Sequence, residues 1–433
     1  MRLGLFPLLL LGCSGSDHVP TGQDPTDPTD PETSTAAGDI SEGALAEGSE
    51  GPTSGTADNT SPTAPFDASS STTTTTTSST GGSEDGGPPP GEDCASYPYQ
   101  ADVLLAERLG FGAATSGGDP TYVVLVASLA DDGEGSLREA LTSPDSAWIA
   151  FDVEGVIELD SPIEIASNKT VDGRGRDITI HGHLRLESGT HDVILSDIAL
   201  SDPGADDGGP DLIQLRGGGG ADPSDFDTHD VWFHHLGLSH AGDGLIDIRG
   251  ATAITLSWSH LFDHTKALLH WQDTEGGDAA GMRVTYHHNW FDHITRRGPQ
   301  FHYGLADYFN NYQEQWYEFG ATSQEGAQFL SEANIYEARP GEVCLPACPD
   351  PSPHGGGNDF FVSKRAVVSG WDNTKGRILS VNDLALNDAV IEQFEPEQVF
   401  TRADYYDAQP EPADEALRAA IVANAGPRVD YCR

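Results

Sequence analysis

From Trp148 onward the chain alternates apolar and polar residues and breaks at Gly, Asn and Asp, in the phrases WIAFDVEGVIEL, IEIASNKTVDG, ITIHGHLRLES and VILSDIALSD. A period of two puts the apolar side chains on one face of a strand. Comparable phrases begin at Val193, Val231, Ile254, Val284, Ala306 and Phe329, separated by steps of 38, 23, 30, 22 and 23 residues. The two longer steps hold GADDGGPD with RGGGGADPSDFD, and QDTEGGDAAG, which are expected to be loops inserted into a constant coil. Asn289, Asn311 and Asn334 recur at one place in three units, and stacked coils would align their amides in a hydrogen-bonded ladder. A repeat of this kind buries a continuous core only when several units stack. The pattern predicts an all-β fold, a single-stranded right-handed parallel β-helix. A β-sandwich would need hairpin turns such as Asn-Gly, which are scarce, and propeller blades would be longer than these units. Ser136-Leu137-Arg138-Glu139 matches a capping box and predicts a short N-terminal capping helix through Ala140 and Leu141. A second helix is expected in Ala413–Gly426, packed across the coils or capping an end.

Composition changes the picture at the amino terminus. Residues 14–93 are dominated by Ser, Thr, Gly, Pro and Asp, with too little apolar surface to offset the entropy of ordering. They are expected to form a disordered tether. Before them, MRLGLFPLLLLGC has one basic residue and an apolar run too short to span a bilayer. Its Leu10-Leu11-Gly12-Cys13 resembles a bacterial lipobox, with Cys13 as the lipidation site. The expected organisation is a signal peptide at 1–12, lipidated Cys13 and tether at 13–93, and a folded domain at 94–433. A tether of that length would hold the domain on the order of 50 Å from the membrane. The expected location is the extracellular face, as an outer-membrane lipoprotein or a secreted protein, in contact with the membrane through the lipid alone.

With Cys13 lipidated, Cys94, Cys344, Cys348 and Cys432 remain, an even number in an oxidising compartment. Three pairings are open. A Cys94–Cys432 bridge would tie the ends of the domain, and Cys344 with Cys348 would close a small loop. One close pair and two distant cysteines make a poor zinc spacing. The formal net charge is −47, which excludes nucleic acid as a partner. It also opposes a polyanionic substrate unless cations screen the charge or the cleft is locally basic.

Candidate chemistry is concentrated between Val231 and Gly304. Asp243 and Asp247 stand four apart on one strand, so they share a face. Asp211 falls one coil earlier. Three carboxylates on neighbouring coils suit Ca²⁺, or else form a solvated acidic face. Lys266 and Arg297 supply cations on the next two coils, suited to a polymer bearing carboxylates or to local ion pairs. Arg296 is expected to face away from Arg297 if both lie in a strand. The histidines His234, His235, His260, His264, His287, His288, His293 and His302 raise zinc as a question. Adjacent residues on a strand point to opposite faces, so the His-His pairs are expected to stack and hydrogen-bond rather than chelate.

Taken together these segments resemble the polysaccharide lyase family 1 pectate lyases. The resemblance runs over about 250 residues in the family's order, through GFGA, SLADDGEGSLREAL, NKTVDGRG, VWFHH, DGLIDI, SWSHLFDHTK, VTYHHNWFDH, the GP…G segment and FNNY. It implies a parallel β-helix and Ca²⁺-assisted β-elimination of polygalacturonate, by a monomer acting on an acidic polysaccharide. By the same resemblance Asp211, Asp243 and Asp247 match the calcium-binding acids. Lys266 matches the substrate-binding lysine, and Arg297 the arginine that takes the proton from C5. Two positions depart from the family pattern. Gln300 stands for the second arginine of RxPR, with His302 at the following basic position, both in the substrate-binding set. Gly209 stands where many members have another acid. The retained acids favour de-esterified pectate over methylated pectin. A binding or adhesion β-helix with little catalysis, and a β-helical glycoside hydrolase, are the alternatives.

Overall fold

The computed structural model describes residues 100–220, 222–271, 281–340, 364–370 and 375–431. Cys13, Cys94, Cys344, Cys348 and Cys432 lie outside these residues, as do the signal, lipidation and tether expectations. Among the described residues, no helix is long and apolar enough to cross a membrane.

The strands form three sheets of ten, nine and nine strands. The first two strands, Val123–Val126 and Ala147–Phe151, pair within one sheet; after them successive strands go to different sheets, so that each sheet takes every third strand. Every named strand pairs in parallel with the equivalent strand one coil away. This is the right-handed parallel β-helix that the repeat predicts. The register matches the sequence phrasing residue for residue: Val193, Val231, Ile254, Val284, Ala306 and Phe329 lie in one column of the first sheet. The register on either side of the two longer steps is therefore unshifted.

The interior of the coil is a single apolar core. One column runs Leu195, Phe233, Leu256, Tyr286 and Tyr308, all buried. The asparagine ladder is present. Asn289 Nδ2 donates to Asn311 Oδ1 at 2.9 Å, and Asn311 Nδ2 to Asn334 Oδ1 at 3.0 Å. It is longer than the three asparagines show. Asn334 Nδ2 passes on to Asp383 Oδ1 at 2.9 Å, and the backbone N–H of Ser259 enters at Asn289 Oδ1 at 3.0 Å.

From the strand His191–Ser196 onward, each coil leaves the first sheet through a residue in the left-handed region. Asp197, His235, Trp258, His288, Asn310, Ala333 and Asn382 follow aligned strand ends, with φ between 50° and 59°. Only glycine adopts this conformation without steric cost, yet none of the seven is glycine. Stacking accompanies it: the Trp258 ring lies 4.5 Å from His288 and 6.0 Å from His235, nearly parallel to both.

A short helix, α1, spans Ala101–Ala106, and the expected capping helix is α2, Leu137–Thr142. Ser136 Oγ accepts from Glu139 N at 3.2 Å, as a capping box requires. The reciprocal bond goes elsewhere: the Glu139 carboxylate accepts from Gly135 N, because Ser136 N already donates to Gly133 O. Helix α3, Glu415–Asn424, takes the packing-across alternative. Leu417 and Ile421 pack on Tyr312 and Ile335 of the second sheet.

Candidate active site

The third sheet carries the charged set. Its strands Ile213–Arg216, Gly244–Arg249, Lys266–Trp271 and Gln300–His302 are consecutive neighbours. Gln214, Asp247, Leu269 and Gln300 form one column, and Gly244 pairs with Lys266 in another. Asp211 and Asp243 sit just before their strands. Asp211 Oδ1 accepts from Gly244 N at 2.7 Å, which ties the first acid to the following coil. A side chain at Gly244 would collide with that oxygen, since a Cβ would stand 2.8 Å away.

The three acids act on one another. Burial raises the pKa of Asp211, and the charge of Asp243 adds to this. Burial and then Asp211 push Asp247 up to about 6. For Asp243, burial is outweighed by the Lys266 ammonium, which bonds its carboxylate and holds it below the ordinary range. Asp247 Oδ2 pairs with Arg249 Nε at 2.9 Å, while Asp247 Oδ1 is buried without a hydrogen-bond partner among the described residues. An unsatisfied carboxylate oxygen beside a second raised acid is a costly arrangement in a dry setting. A divalent cation would relieve both, so the residues present fit Ca²⁺.

Arg297 faces this group. It has φ 61° and lies outside a strand, so simple alternation does not govern the Arg296-Arg297 pair. Arg296 pairs with Glu318 at 3.1 Å, and the strand condition for the two arginines to face opposite ways is not met. Burial lowers the pKa of Arg297, and the neighbouring Arg296 charge lowers it further; Asp243, Asp211 and Asp247 oppose both. Its Nε is buried without a hydrogen-bond partner among the described residues. Gln300 Nε2 donates to His302 Nε2 at 2.9 Å, and burial, then Arg297, draws His302 down to about 4, so its imidazole is neutral at neutral pH.

The fold therefore gathers Asp211, Asp243, Asp247, Lys266, Arg297, Gln300 and His302 onto one sheet. Sequence reasoning missed Arg249, Arg216 and Gln214. Arg216 stands 3.7 Å from Asp247, and Gln214 donates to Asp211 at 3.0 Å. Arg249 was open to detection, because it lies two residues after Asp247 and so shares its face. The expectation for the His-His pairs fails in its premise. His235 and His288 occupy the left-handed corner, so each ring swings toward its neighbour: His234 and His235 meet at 4.3 Å between centroids, and the Nδ1 atoms of His287 and His288 lie 3.0 Å apart.

The protein is thus a right-handed parallel β-helix with buried acids, a lysine and a buried arginine along one sheet. The pectate lyase family model matches residues 62–347, and the chain belongs to that family. It is 32% identical over 245 residues to a probable pectate lyase of Solanum lycopersicum, covering 53% of this chain and 61% of the relative. It is 31% identical over 257 residues to pectate lyase 1 of Hesperocyparis arizonica, covering 53% and 67%. The chain thus spans about three fifths to two thirds of these relatives' length. Among solved structures, jun a 1, the major allergen from cedar pollen, superposes with a TM-score of 0.56 at 24% identity, covering 75% of this chain and 94% of that one. A pectate lyase from Bacillus sp. N165 in complex with trigalacturonate gives 0.55 at 19% identity, covering 74% and 99%. These two likenesses speak to the fold alone.

Proposed function

We propose that the protein cleaves polygalacturonate by Ca²⁺-assisted β-elimination. The observation that carries this is a pair of buried groups without hydrogen-bond partners among the described residues, Asp247 Oδ1 and Arg297 Nε, within one electrostatically coupled cluster of three acids. Asp211, Asp243 and Asp247 would hold the cation. The chemistry supplied by bound Ca²⁺ is charge neutralisation at the uronate carboxylate, which acidifies the adjoining C5–H. Lys266 holds a substrate carboxylate or hydroxyl in register with the base. Arg297 in its neutral form takes the C5 proton. The C5–H electron pair becomes the C4–C5 double bond, and the C4–O bond breaks with its pair on the departing oxygen, which is protonated from solvent. A guanidinium ordinarily keeps its proton, so burial and the Arg296 charge are what make this base accessible. The neutral fraction grows as pH rises, so the rate should climb toward alkaline pH. The retained acids suit de-esterified pectate. Cys13 as a lipid anchor and an extracellular setting for a monomeric domain complete the reading.

A second reading, a binding β-helix with little turnover, draws on Gln300, whose amide is engaged with His302 and brings no charge to the substrate. One assay separates them. The protein is incubated with polygalacturonate with and without Ca²⁺, and the ultraviolet absorbance of the unsaturated product is followed. The lyase reading expects product that a chelator abolishes and that Arg297→Ala reduces at least a thousandfold, while binding of the polymer persists. Reducing ends without absorbance would indicate hydrolysis, and unaltered turnover in Arg297→Ala would remove Arg297 as the base.

A further inference from the structure

On the first sheet, away from the acidic groove, a second cluster of donor groups comes together. His234 ends the strand Thr228–His234, and His235 is the left-handed corner residue after it. Glu107 is the residue that closes α1. One ligand atom from each of the three lies within 4.8 Å of the others. His234 Nε2 and Glu107 Oε2 are 2.6 Å apart. Donors around a tetrahedral Zn²⁺ stand a little over about 3 Å from one another, at roughly 2.0–2.2 Å from the ion. Only a small opening of that contact is needed.

Three further features suit an ion here. Each imidazole has its second nitrogen engaged: His235 Nδ1 donates to Gly426 O at 2.9 Å, and His234 Nδ1 meets Ser257 Oγ at 2.9 Å. Such outer contacts fix a ligating ring and its tautomer. Ser257 is in turn held by Trp232 Nε1 at 2.9 Å. Burial, followed by the neighbouring charges of Arg428 for His234 and of His234 for His235, keeps both rings neutral, the form that ligates. The adjacent cation, Arg428, is compensated by a fork on Asp197, with bonds of 2.7 and 2.9 Å. It touches Glu107 only through Nη1, at 3.1 and 3.3 Å. Two imidazoles and a carboxylate suit zinc, whereas Ca²⁺ prefers oxygen alone.

We propose that Glu107, His234 and His235 form a binding site for Zn²⁺, with water completing the coordination. The ion would join the end of α1, a corner of the solenoid and the returning C-terminal segment at Gly426. Its role is structural, since both rings are buried. The proposal is independent of the lyase reading.

The test uses the full chain, stripped of metal and titrated with Zn²⁺, then with Co²⁺ as a spectroscopic probe, in excess Ca²⁺. The expected result is one equivalent bound, a raised thermal midpoint, and a Co²⁺ spectrum with nitrogen and oxygen ligation. Glu107→Gln and His235→Gln should each weaken binding at least tenfold, whereas Asp247→Asn should leave it unchanged. Absence of binding, displacement by Ca²⁺, loss in Asp247→Asn, or full affinity in both Glu107→Gln and His235→Gln would overturn the proposal. Thiolate charge-transfer bands would do the same, by assigning the metal to cysteine. If either variant fails to fold, the Co²⁺ spectrum of the unaltered protein decides, because a spectrum without imidazole ligation overturns the site.

Discussion

Single residues divide into those whose chemistry is evident from type and those defined by place. The acids, Lys266 and Arg297 stand out because cations are rare in so acidic a chain, and because Asp243 and Asp247 share a strand face. What the sequence hides is the pairing among them. The bond between Lys266 and Asp243, and the contact of Arg249 with Asp247, depend on which coil stacks on which. The partnerless oxygen of Asp247 gives a direct expectation. Asp247→Asn removes one unit of ligand charge, and Ca²⁺ affinity in this kind of site follows charge count over decades. Calorimetric titration should show Ca²⁺ binding at least tenfold weaker, with the far-ultraviolet circular dichroism unchanged. Equal affinity in the variant would mean that Asp247 is not a ligand.

Among the elements, coil boundaries are legible because the apolar phrase restarts at a fixed column, and insertions leave that column intact. The asparagine ladder is legible for the same reason. Its ends are not, because Ser259 and Asp383 continue it with different residue types. The ladder's middle member should be the most sensitive. Asn311 Nδ2 donates to Tyr286 O, Phe309 O and Asn334 Oδ1, and its Oδ1 accepts from the backbone and side chain of Asn289. Each buried group left unsatisfied costs about 1–3 kcal/mol, so Asn311→Ala should destabilise by at least about 3 kcal/mol. Urea denaturation measures this directly, and a loss below about 1 kcal/mol would show that the ladder is dispensable. The left-handed corners were the least legible element. Turns are ordinarily sought at Gly, Asn or Asp, and here His, Trp and Ala occupy equivalent places.

For the whole molecule, pH acts through groups that the fold keeps in one protonation state. Burial opposes the ionised form of Asp197, but the charge and hydrogen bonds of Arg428 outweigh it and hold the pKa well below the ordinary range. That contribution is complete above the unfolded carboxylate value of about 3.9, and is lost as pH falls from there through the lower folded-state value. The buried imidazoles act earlier. Burial takes His270 down to about 3, and His234, His235 and His287 also lie well below 6.5. The unfolded chain therefore takes up protons below about pH 6.5 while the folded chain does not, and stability falls with pH from there. Asp247, raised to about 6, works in the opposite sense below that pH, as do Asp211, Asp307 and Asp383, which burial also raises, while His302, drawn down to about 4, adds to the four imidazoles. The thermal midpoint should decline steadily from about pH 6.5 to 4. A midpoint flat over that interval would contradict the buried neutral histidines.

The seven aligned corners carry a broader consequence. Because backbone geometry alone turns the chain there, the identity of each corner side chain is released from the task of making the bend. The strip is thus a row of pegs on which rings and amides are hung, while the scaffold beneath keeps its shape.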